Sequence, residues 1–180
     1  MTLVPTPGQT VGPFFHYALP YPGDRDLVAP GTTDSILLHG TVYDGAGQGL
    51  QDALVEVWQA DPAGRIPRQQ GSMRRDGTVF TGFGRSSTDR TGRFCFTTLT
   101  PGPVDGGLPF FAVTVFARGL LNRLFTRAYL PLDGAEPDAL LTAAAERAGT
   151  LICQRDEEGL RFDIRLQGQG ETIFLTYPGH

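Results

Sequence analysis

Alternating apolar and polar residues predict a series of short β-strands along this 180-residue chain. Successive side chains of a strand point to opposite faces, so a period of two indicates a strand with one face in a core. The predicted strands are residues 35–43, 54–58, 93–99, 110–117, 124–130, 151–154, 160–166 and 171–175. The strongly apolar runs 110–117 and 124–130 are predicted to be neighbouring central strands. One helix is predicted over 137–149, with Asp138 early in it and Gly149 at its end.

The connections between these strands lead to further expectations. Residues 44–49 have the composition of a tight turn, which predicts that the runs 35–43 and 54–58 pair as a hairpin. Alternation puts Glu56 on one face of the second run and Gln59 on the other, so one face buries a polar group that needs hydrogen-bond partners. Residues 61–84 hold few apolar side chains and are predicted to form a long loop of the kind that often carries function.

The N-terminal segment differs from the rest of the chain. Residues 5–31 contain six prolines, a density that excludes both helix and sheet interior, and six aromatic or apolar residues follow one another closely over 14–21. We therefore predict an arm over residues 1–31 that packs on its own domain or on a partner, and a single domain over residues 32–180. With 24 Gly and 14 Pro, the predicted fold is all-β. It is a two-sheet, mainly antiparallel β-sandwich with one short peripheral helix and a Pro/aromatic-rich N-terminal arm.

Charge and composition exclude several classes of function. The net charge of −4 and the absence of a basic patch argue against nucleic-acid binding. No apolar run is long enough to span a bilayer and the N-terminus has no signal-peptide pattern, so a cytoplasmic protein is expected. The two cysteines, Cys95 and Cys153, have apolar neighbours and are expected to be free. Three scattered histidines make a His-rich metal site improbable, and no hydrolase or phosphate-loop motif is present.

Several short motifs together resemble the intradiol ring-cleaving dioxygenases. They are VEVWQA at 55–60, AGR at 63–65, TDRTGRF at 88–94, PGP at 101–103 and RFDI at 161–164. The order and spacing of the motifs carry the resemblance, and it covers residues 36–175. The arm motif QTVGPFFH at 9–16 and the run VFARG at 115–119 add to it and indicate the non-catalytic chain of a two-chain member.

The resemblance implies an iron site that this chain has lost. Catalytic members of the family bind a ferric ion through two tyrosines and two histidines. At the matching positions this chain has Ile66, Val104, Phe110 and Ala112, none of which can donate an electron pair to iron. Two further positions near the metal of catalytic chains correspond here to Gly107 and Arg127. The resemblance therefore implies that this chain binds no metal and holds no catalytic residue.

The resemblance also implies a partner and a reaction. An iron-free α-type chain of this family pairs with a catalytic β-type chain that carries Fe(III) and uses O2 to open the ring of protocatechuate, giving 3-carboxy-cis,cis-muconate. Thr10, Gly12 and Pro13 of the arm, together with Arg118, are implied to line the substrate pocket of that partner. Each also has a plain explanation, because Gly12 and Pro13 can form a turn, Thr10 can cap, and Arg118 can end a strand in solvent. Two other readings remain: an independently catalytic enzyme, and a non-enzymatic β-sandwich binding module.

Overall fold

Two packed β-sheets form the body of the protein in a computed structural model that describes residues 18–68 and 79–177. The strands are β1 Ser35–Tyr43, β2 Leu54–Gln59, β3 Phe83–Ser87, β4 Arg93–Leu99, β5 Phe110–Phe116, β6 Leu124–Tyr129, β7 Gln154–Arg155, β8 Leu160–Arg161 and β9 Ile164–Arg165. One sheet has the order β4-β1-β8-β7, with β9 also pairing with β1, and the other has the order β3-β2-β5-β6. All pairings are antiparallel except those of β1 with β8 and β9.

The core lies between the two sheets. Inward side chains of β1 and β4 pack against those of β2 and β5, and together they form one cluster of buried residues. Among them, Val42, Val55, Phe96, Phe111 and Val115 are fully buried. Burial of apolar surface on this scale is the main favourable term in folding, so the two-sheet sandwich predicted from the alternation is confirmed.

The predicted hairpin between β1 and β2 is wrong, because the two strands belong to different sheets. The turn itself forms: the Asp44 carboxylate accepts hydrogen bonds from the backbone N–H groups of Ala46 and Gln48. Beyond it, the returning chain makes one isolated bridge, between Tyr43 and Gly49. Asp52 then adopts a positive φ of 86° and redirects the chain into the second sheet.

Four other predicted elements differ from the structure. Of the predicted strand 151–154 only Gln154 lies in a strand, β7, because the 3₁₀ helix extends to Leu151. β6 ends the hydrogen-bonded order of its sheet, so of the two strands predicted to be central only β5 is. The run 160–166 is split into β8 and β9, since the Asp163 carboxylate takes the Thr41 N–H that a ladder would bind. The run 171–175 forms an isolated bridge, from Leu175 to Phe125.

The predicted helix is shorter than its sequence pattern. It is α1, Ala139–Ala144, and a 3₁₀ helix, Ala145–Leu151, follows it. Asp138 caps α1 by accepting the Leu141 N–H, as its position near the start suggested. Ala145 has a φ of 49°, which ends the α-helix one residue after Ala144. In the described ranges no helix is long and apolar enough to cross a membrane.

The described part of the predicted arm contacts this chain's own sheets. Leu27 is buried and its N–H donates to the Thr97 carbonyl at 2.8 Å. The Arg85 guanidinium donates to the Leu19 carbonyl, also at 2.8 Å. Residues 1–17, which include the predicted site residues Thr10, Gly12 and Pro13, lie outside the described residues.

Candidate functional site

A cavity of about 370 Å3 opens at one end of the second sheet. The four apolar positions singled out in the sequence, Ile66, Val104, Phe110 and Ala112, all line it. Gly107 and Arg127, the two further positions, line it as well. Six residues spread over 61 positions of sequence therefore meet around one space. The rest of its described wall is Trp58, Gln59, Ala60, Leu108 and Asp138.

The loop that carries Ile66 starts with a turn built by Asp61. One oxygen of its carboxylate accepts the backbone N–H groups of Ala63 and Arg65, both at 2.9 Å. Burial would raise the pKa of Asp61, but the backbone N–H of Arg65 has the larger effect and, with the Arg65 side chain, holds this pKa below its ordinary value. Gly64 completes the turn with a φ of 79°, a backbone conformation that residues other than glycine adopt only with strain.

Two glycines hold the Ile66 loop against the loop that carries Val104. The Gly102 N–H donates to the Asp61 carbonyl at 2.9 Å. A Cβ atom on Gly64 would overlap the carbonyl of Pro103, and one on Gly102 would overlap the carbonyl of Pro62. The two backbones can touch because neither glycine has a side chain. The AGR and PGP motifs are therefore in direct contact, and each needs its glycine for that contact.

The strands supply the other wall through their register. Trp58 on β2 lies opposite Ala112 on β5, and Ala112 lies opposite Arg127 on β6. Directly opposed residues project to the same face, so these three form one row across the sheet. Trp58 is 47% exposed and packs edge-on against Phe83, with 6.3 Å between the ring centroids. Ile66 is 51% exposed, so the cavity is open to solvent.

Gln59 is the buried polar group that the alternation of β2 predicted. It is 2% exposed, and its Nε2 donates to the carbonyls of Leu99 at 2.8 Å and Ala60 at 3.2 Å. Its Oε1 accepts a hydrogen bond from the Thr98 hydroxyl at 2.5 Å. Because Thr98 and Leu99 belong to β4, this amide joins the two sheets behind the cavity. Both polar atoms of its amide group therefore have partners there.

Arg127 and Asp138 form the polar side of the cavity, and the buried Tyr129 connects them. The Arg127 guanidinium lies 4.2 Å from the centre of the Phe110 ring and donates from Nη1 to the Tyr129 hydroxyl at 3.0 Å. That hydroxyl donates in turn to Asp138 at 2.7 Å. The contact between Tyr129 and Asp138, nine positions apart, forms because α1 folds back onto β6. No local sequence pattern indicates it. The sequence pattern indicates Asp138 only as a residue near the start of the helix.

This network shifts two pKa values in opposite directions. Burial, and then the hydrogen bond to Asp138, raise the pKa of Tyr129 to about 12. Burial alone would raise the pKa of Asp138 too. The hydrogen bonds from Tyr129, Leu141 and Leu140 and the charge of Arg127 outweigh that effect and hold this pKa below its ordinary value.

Comparison with known proteins gives matches along nearly the whole chain. A family model described as "Dioxygenase" matches residues 18–107. The protocatechuate 3,4-dioxygenase alpha chain of Burkholderia cepacia is 39% identical, with 97% of this chain and 98% of that one covered. The alpha chain of the same name from Pseudomonas putida is 35% identical, with 96% of each covered. This chain belongs to the intradiol ring-cleaving dioxygenase family. The resemblance drawn from the motifs is thereby confirmed.

Other intradiol dioxygenases extend the comparison. The protocatechuate 3,4-dioxygenase beta chain of Burkholderia cepacia is 32% identical over 77% of this chain and 67% of its own length. A dioxygenase domain from Streptomyces sp. SirexAA-E has a TM-score of 0.57 at 28% identity, covering 92% of this chain and 99% of that one. Catechol 1,2-dioxygenase from Acinetobacter sp. ADP1 shares the fold, with a TM-score of 0.55 at 22% identity, covering 85% of this chain and 60% of that one.

Intradiol dioxygenases are iron-dependent, yet the residues around this cavity do not fit a ferric ion. Ile66, Val104, Phe110 and Ala112 present only hydrocarbon groups. Asp138 already accepts hydrogen bonds on both oxygens, and Arg127 is a cation. Within residues 18–68 and 79–177, no three His, Cys, Asp or Glu side chains are grouped to hold a metal. We derive no reaction step through iron on this chain.

Arg118, the remaining predicted site residue, lies away from the cavity. It follows the far end of β5, roughly 20 Å from Ala112 at about 3.3 Å per residue of strand. Its side chain is 57% exposed, with the guanidinium 3.5 Å from the Asp52 carboxylate. The structure therefore does not bring Arg118 together with Ile66 and Val104.

Proposed function

We propose that this chain is the iron-free α-type subunit of a protocatechuate 3,4-dioxygenase. One observation carries the proposal. The four positions that match the iron ligands of catalytic chains have hydrocarbon side chains, and they still surround one cavity. The relatives matched over nearly its whole length bear the name of the alpha chain of that enzyme. Under this proposal the ferric ion belongs to a β-type partner, which opens the ring of protocatechuate with O2 to give 3-carboxy-cis,cis-muconate.

Arg118 is the residue of the described part through which this chain is proposed to act on the substrate. It lies too far from its own cavity to serve it, and its exposed guanidinium can reach a carboxylate on a molecule held by a partner chain. A guanidinium binds a carboxylate through paired N–H donors, so Arg118 would orient the carboxylate of protocatechuate. Thr10, Gly12 and Pro13 are proposed to line the same pocket from the arm, residues 1–31.

Apolar surface around the cavity supports association with the partner. Trp58 and Ile66 are about half exposed and lie at the same mouth. Large exposed apolar side chains that cluster in this way are typical of protein interfaces, where aromatic residues are enriched. This surface would stabilise the αβ complex, in addition to the contact made by the arm.

Co-expression with a β-type chain tests the assignment. We expect one complex that contains both chains, holds iron only when the β-type chain is present, and consumes O2 when protocatechuate is added. Size-exclusion chromatography, iron analysis and an oxygen electrode measure these three properties. A chain that stays monomeric and never associates would contradict the proposal and favour a separate binding module.

Arg118→Ala tests the substrate contact within that complex. Loss of a charge-assisted hydrogen bond is expected to raise KM for protocatechuate by about tenfold or more without changing assembly. Arg147→Ala is the matched control, because Arg147 is also 57% exposed and ion-paired, with Glu171 at 4.0 Å. Equal kinetics for the two variants would count against a role for Arg118.

Deletion of residues 1–17 tests the arm. The truncated chain should still assemble through its described surface, but the complex should turn over protocatechuate more slowly. Full activity in a normally assembled complex would refute the contribution of Thr10, Gly12 and Pro13.

A further inference from the structure

The cavity that has no metal ligands still has a defined polar character. Its walls are mainly hydrocarbon, from Ile66, Val104 and Ala112, and its volume of about 370 Å3 is in the range of small-molecule sites. Half-exposed Trp58 and Ile66 leave its mouth accessible. An open apolar space beside a fixed charge is a site for a ligand that has an apolar body and one charged group.

Among the polar side chains of the described wall, Arg127 has N–H groups left to donate. Both the Nε2 and the Oε1 of Gln59 have partners, at Ala60, Leu99 and Thr98. The two oxygens of Asp138 accept from Tyr129 and from the Leu141 N–H. A guanidinium has five N–H donors, and the hydrogen bond described for Arg127 uses Nη1 alone. A ligand group placed against Arg127 must therefore be an acceptor.

Two contacts hold the Arg127 side chain in place. Its guanidinium carbon lies 4.2 Å from the centre of the Phe110 ring, and its Nη1 donates to the Tyr129 hydroxyl. The remaining N–H groups of the guanidinium can match the two oxygens of a carboxylate. Asp138 also lines the cavity, and its two oxygens accept hydrogen bonds from the Tyr129 hydroxyl and the Leu141 N–H.

We infer that this cavity binds a small organic carboxylate, with the carboxylate against Arg127 and an apolar ring or chain against Ile66, Val104 and Trp58. The site belongs to this chain and needs no metal. It is separate from the proposed role of Arg118, and in the complex it requires that the partner leaves the mouth at Trp58 and Ile66 open.

Trp58 makes the test specific, because it is the single Trp of the chain and lies in the cavity wall. The full-length chain is titrated with cyclohexanecarboxylate, which does not absorb where Trp58 is excited, and Trp58 fluorescence is recorded. A saturable change is expected, and the neutral cyclohexanecarboxamide is expected to bind more weakly. The absence of a saturable change would overturn the inference.

Two variants distinguish the contribution of the Arg127 charge to binding from that of the cavity volume. They are Arg127→Gln and Ala112→Phe. Arg127→Gln should weaken carboxylate binding by about tenfold or more and leave amide binding nearly unchanged. Ala112→Phe keeps the charge but fills the cavity from an exposed position, and it should abolish binding of both probes. Arg147→Ala, at a residue that does not line the cavity, should bind as the unaltered chain does.

Two results would overturn the inference in these variants. One is unchanged carboxylate affinity in folded Arg127→Gln protein. If circular dichroism shows that this variant is unfolded, Ala112→Phe decides, and retained binding there refutes the site.

The other possible occupant is a side chain of a partner subunit. With fluorotryptophan at position 58 of this chain, fluorine NMR of the complex with a β-type chain should show the same ligand-induced shift as the free chain. A complex in which the signal is already shifted and no longer responds would mean that the partner fills the cavity, and would overturn the inference for the assembled protein.

Discussion

Replacing Gly64 by alanine should destabilise the chain far more than replacing Gly47 by alanine. The two glycines occupy the same type of turn: Asp61 and Asp44 each cap two following N–H groups, and the glycine N–H donates to the carbonyl of that aspartate. Their φ angles are 79° and 77°. They differ in surroundings, since a Cβ on Gly47 meets nothing within 4 Å and one on Gly64 meets the backbone of Pro103.

The magnitudes follow from two separate costs. A left-handed φ costs an L-residue about 1–2 kcal/mol, and this term is common to both variants. Gly64→Ala also forces the Pro103 backbone to move, and overpacking of this kind costs about 1–3 kcal/mol. We therefore expect about 1–2 kcal/mol for Gly47→Ala and about 2–5 kcal/mol for Gly64→Ala.

Urea unfolding followed by circular dichroism measures both free energies on the same scale. The two variants should show the same dependence on urea concentration and different midpoints. Gly64→Ala should also displace Val104, which follows Pro103, and so weaken binding in the cavity. Equal loss of stability in the two variants would refute the idea that the close approach of Gly64 to Pro103 holds the two loops together.

Three further changes test other contacts. Gln59→Leu leaves the buried Thr98 hydroxyl and Leu99 carbonyl unpaired and should cost about 2–4 kcal/mol in urea unfolding, and Thr98→Val should cost less in that background than alone. Glu56→Gln removes the negative charge that pairs with the buried Arg85 guanidinium and should cost about 2–3 kcal/mol, whereas Asp133→Asn, at an exposed pair with Arg155, should cost close to zero. The pKa of Tyr129 is about 12 in the folded chain, and its ordinary value is 10.0. The neutral hydroxyl therefore contributes fully to the free energy of unfolding below pH 10, and this contribution is lost as pH rises towards 12. Tyr129→Phe should flatten that alkaline loss in unfolding curves recorded across this range, and an unchanged slope would contradict it.

The strands β1 and β4 could be predicted to the residue. β4 alternates regularly and follows an aspartate-capped turn, and β1 is a mainly apolar run that ends at the turn of residues 44–49, so local sequence contains the information that defines them. The apolar ligand positions could also be read from motif spacing, and the structure groups all four around one cavity.

The strand β3 was missed because its buried residues are not apolar. Its sequence is FGRSS, with Gly84, Arg85 and Ser86 buried. Arg85 is tolerated there since Glu56 and the Leu19 carbonyl accept its hydrogen bonds. Partners 29 and 66 positions away leave no periodic signal, so the sequence predicts loop up to residue 84 and no strand over residues 83–87.

The sheet that each strand joins was likewise beyond local sequence. The turn after β1 was predicted correctly, but its exit direction depends on the positive φ of Asp52. The Tyr129–Asp138 contact beside the cavity depends on the fold-back of α1 in the same way. Pattern therefore identified most strands, and long-range contacts decided their arrangement.

The contact between the Gly64 and Gly102 loops has a consequence for how this corner of the protein can change. Backbone atoms join the two loops. The contact that fixes the loops therefore does not involve the side chains that line the cavity. Residues at positions such as 66 and 104 can then be exchanged as a set while the frame persists. One scaffold can in this way serve a metal-binding chain and a metal-free chain alike. The same property makes the cavity a suitable place to graft new chemistry by design.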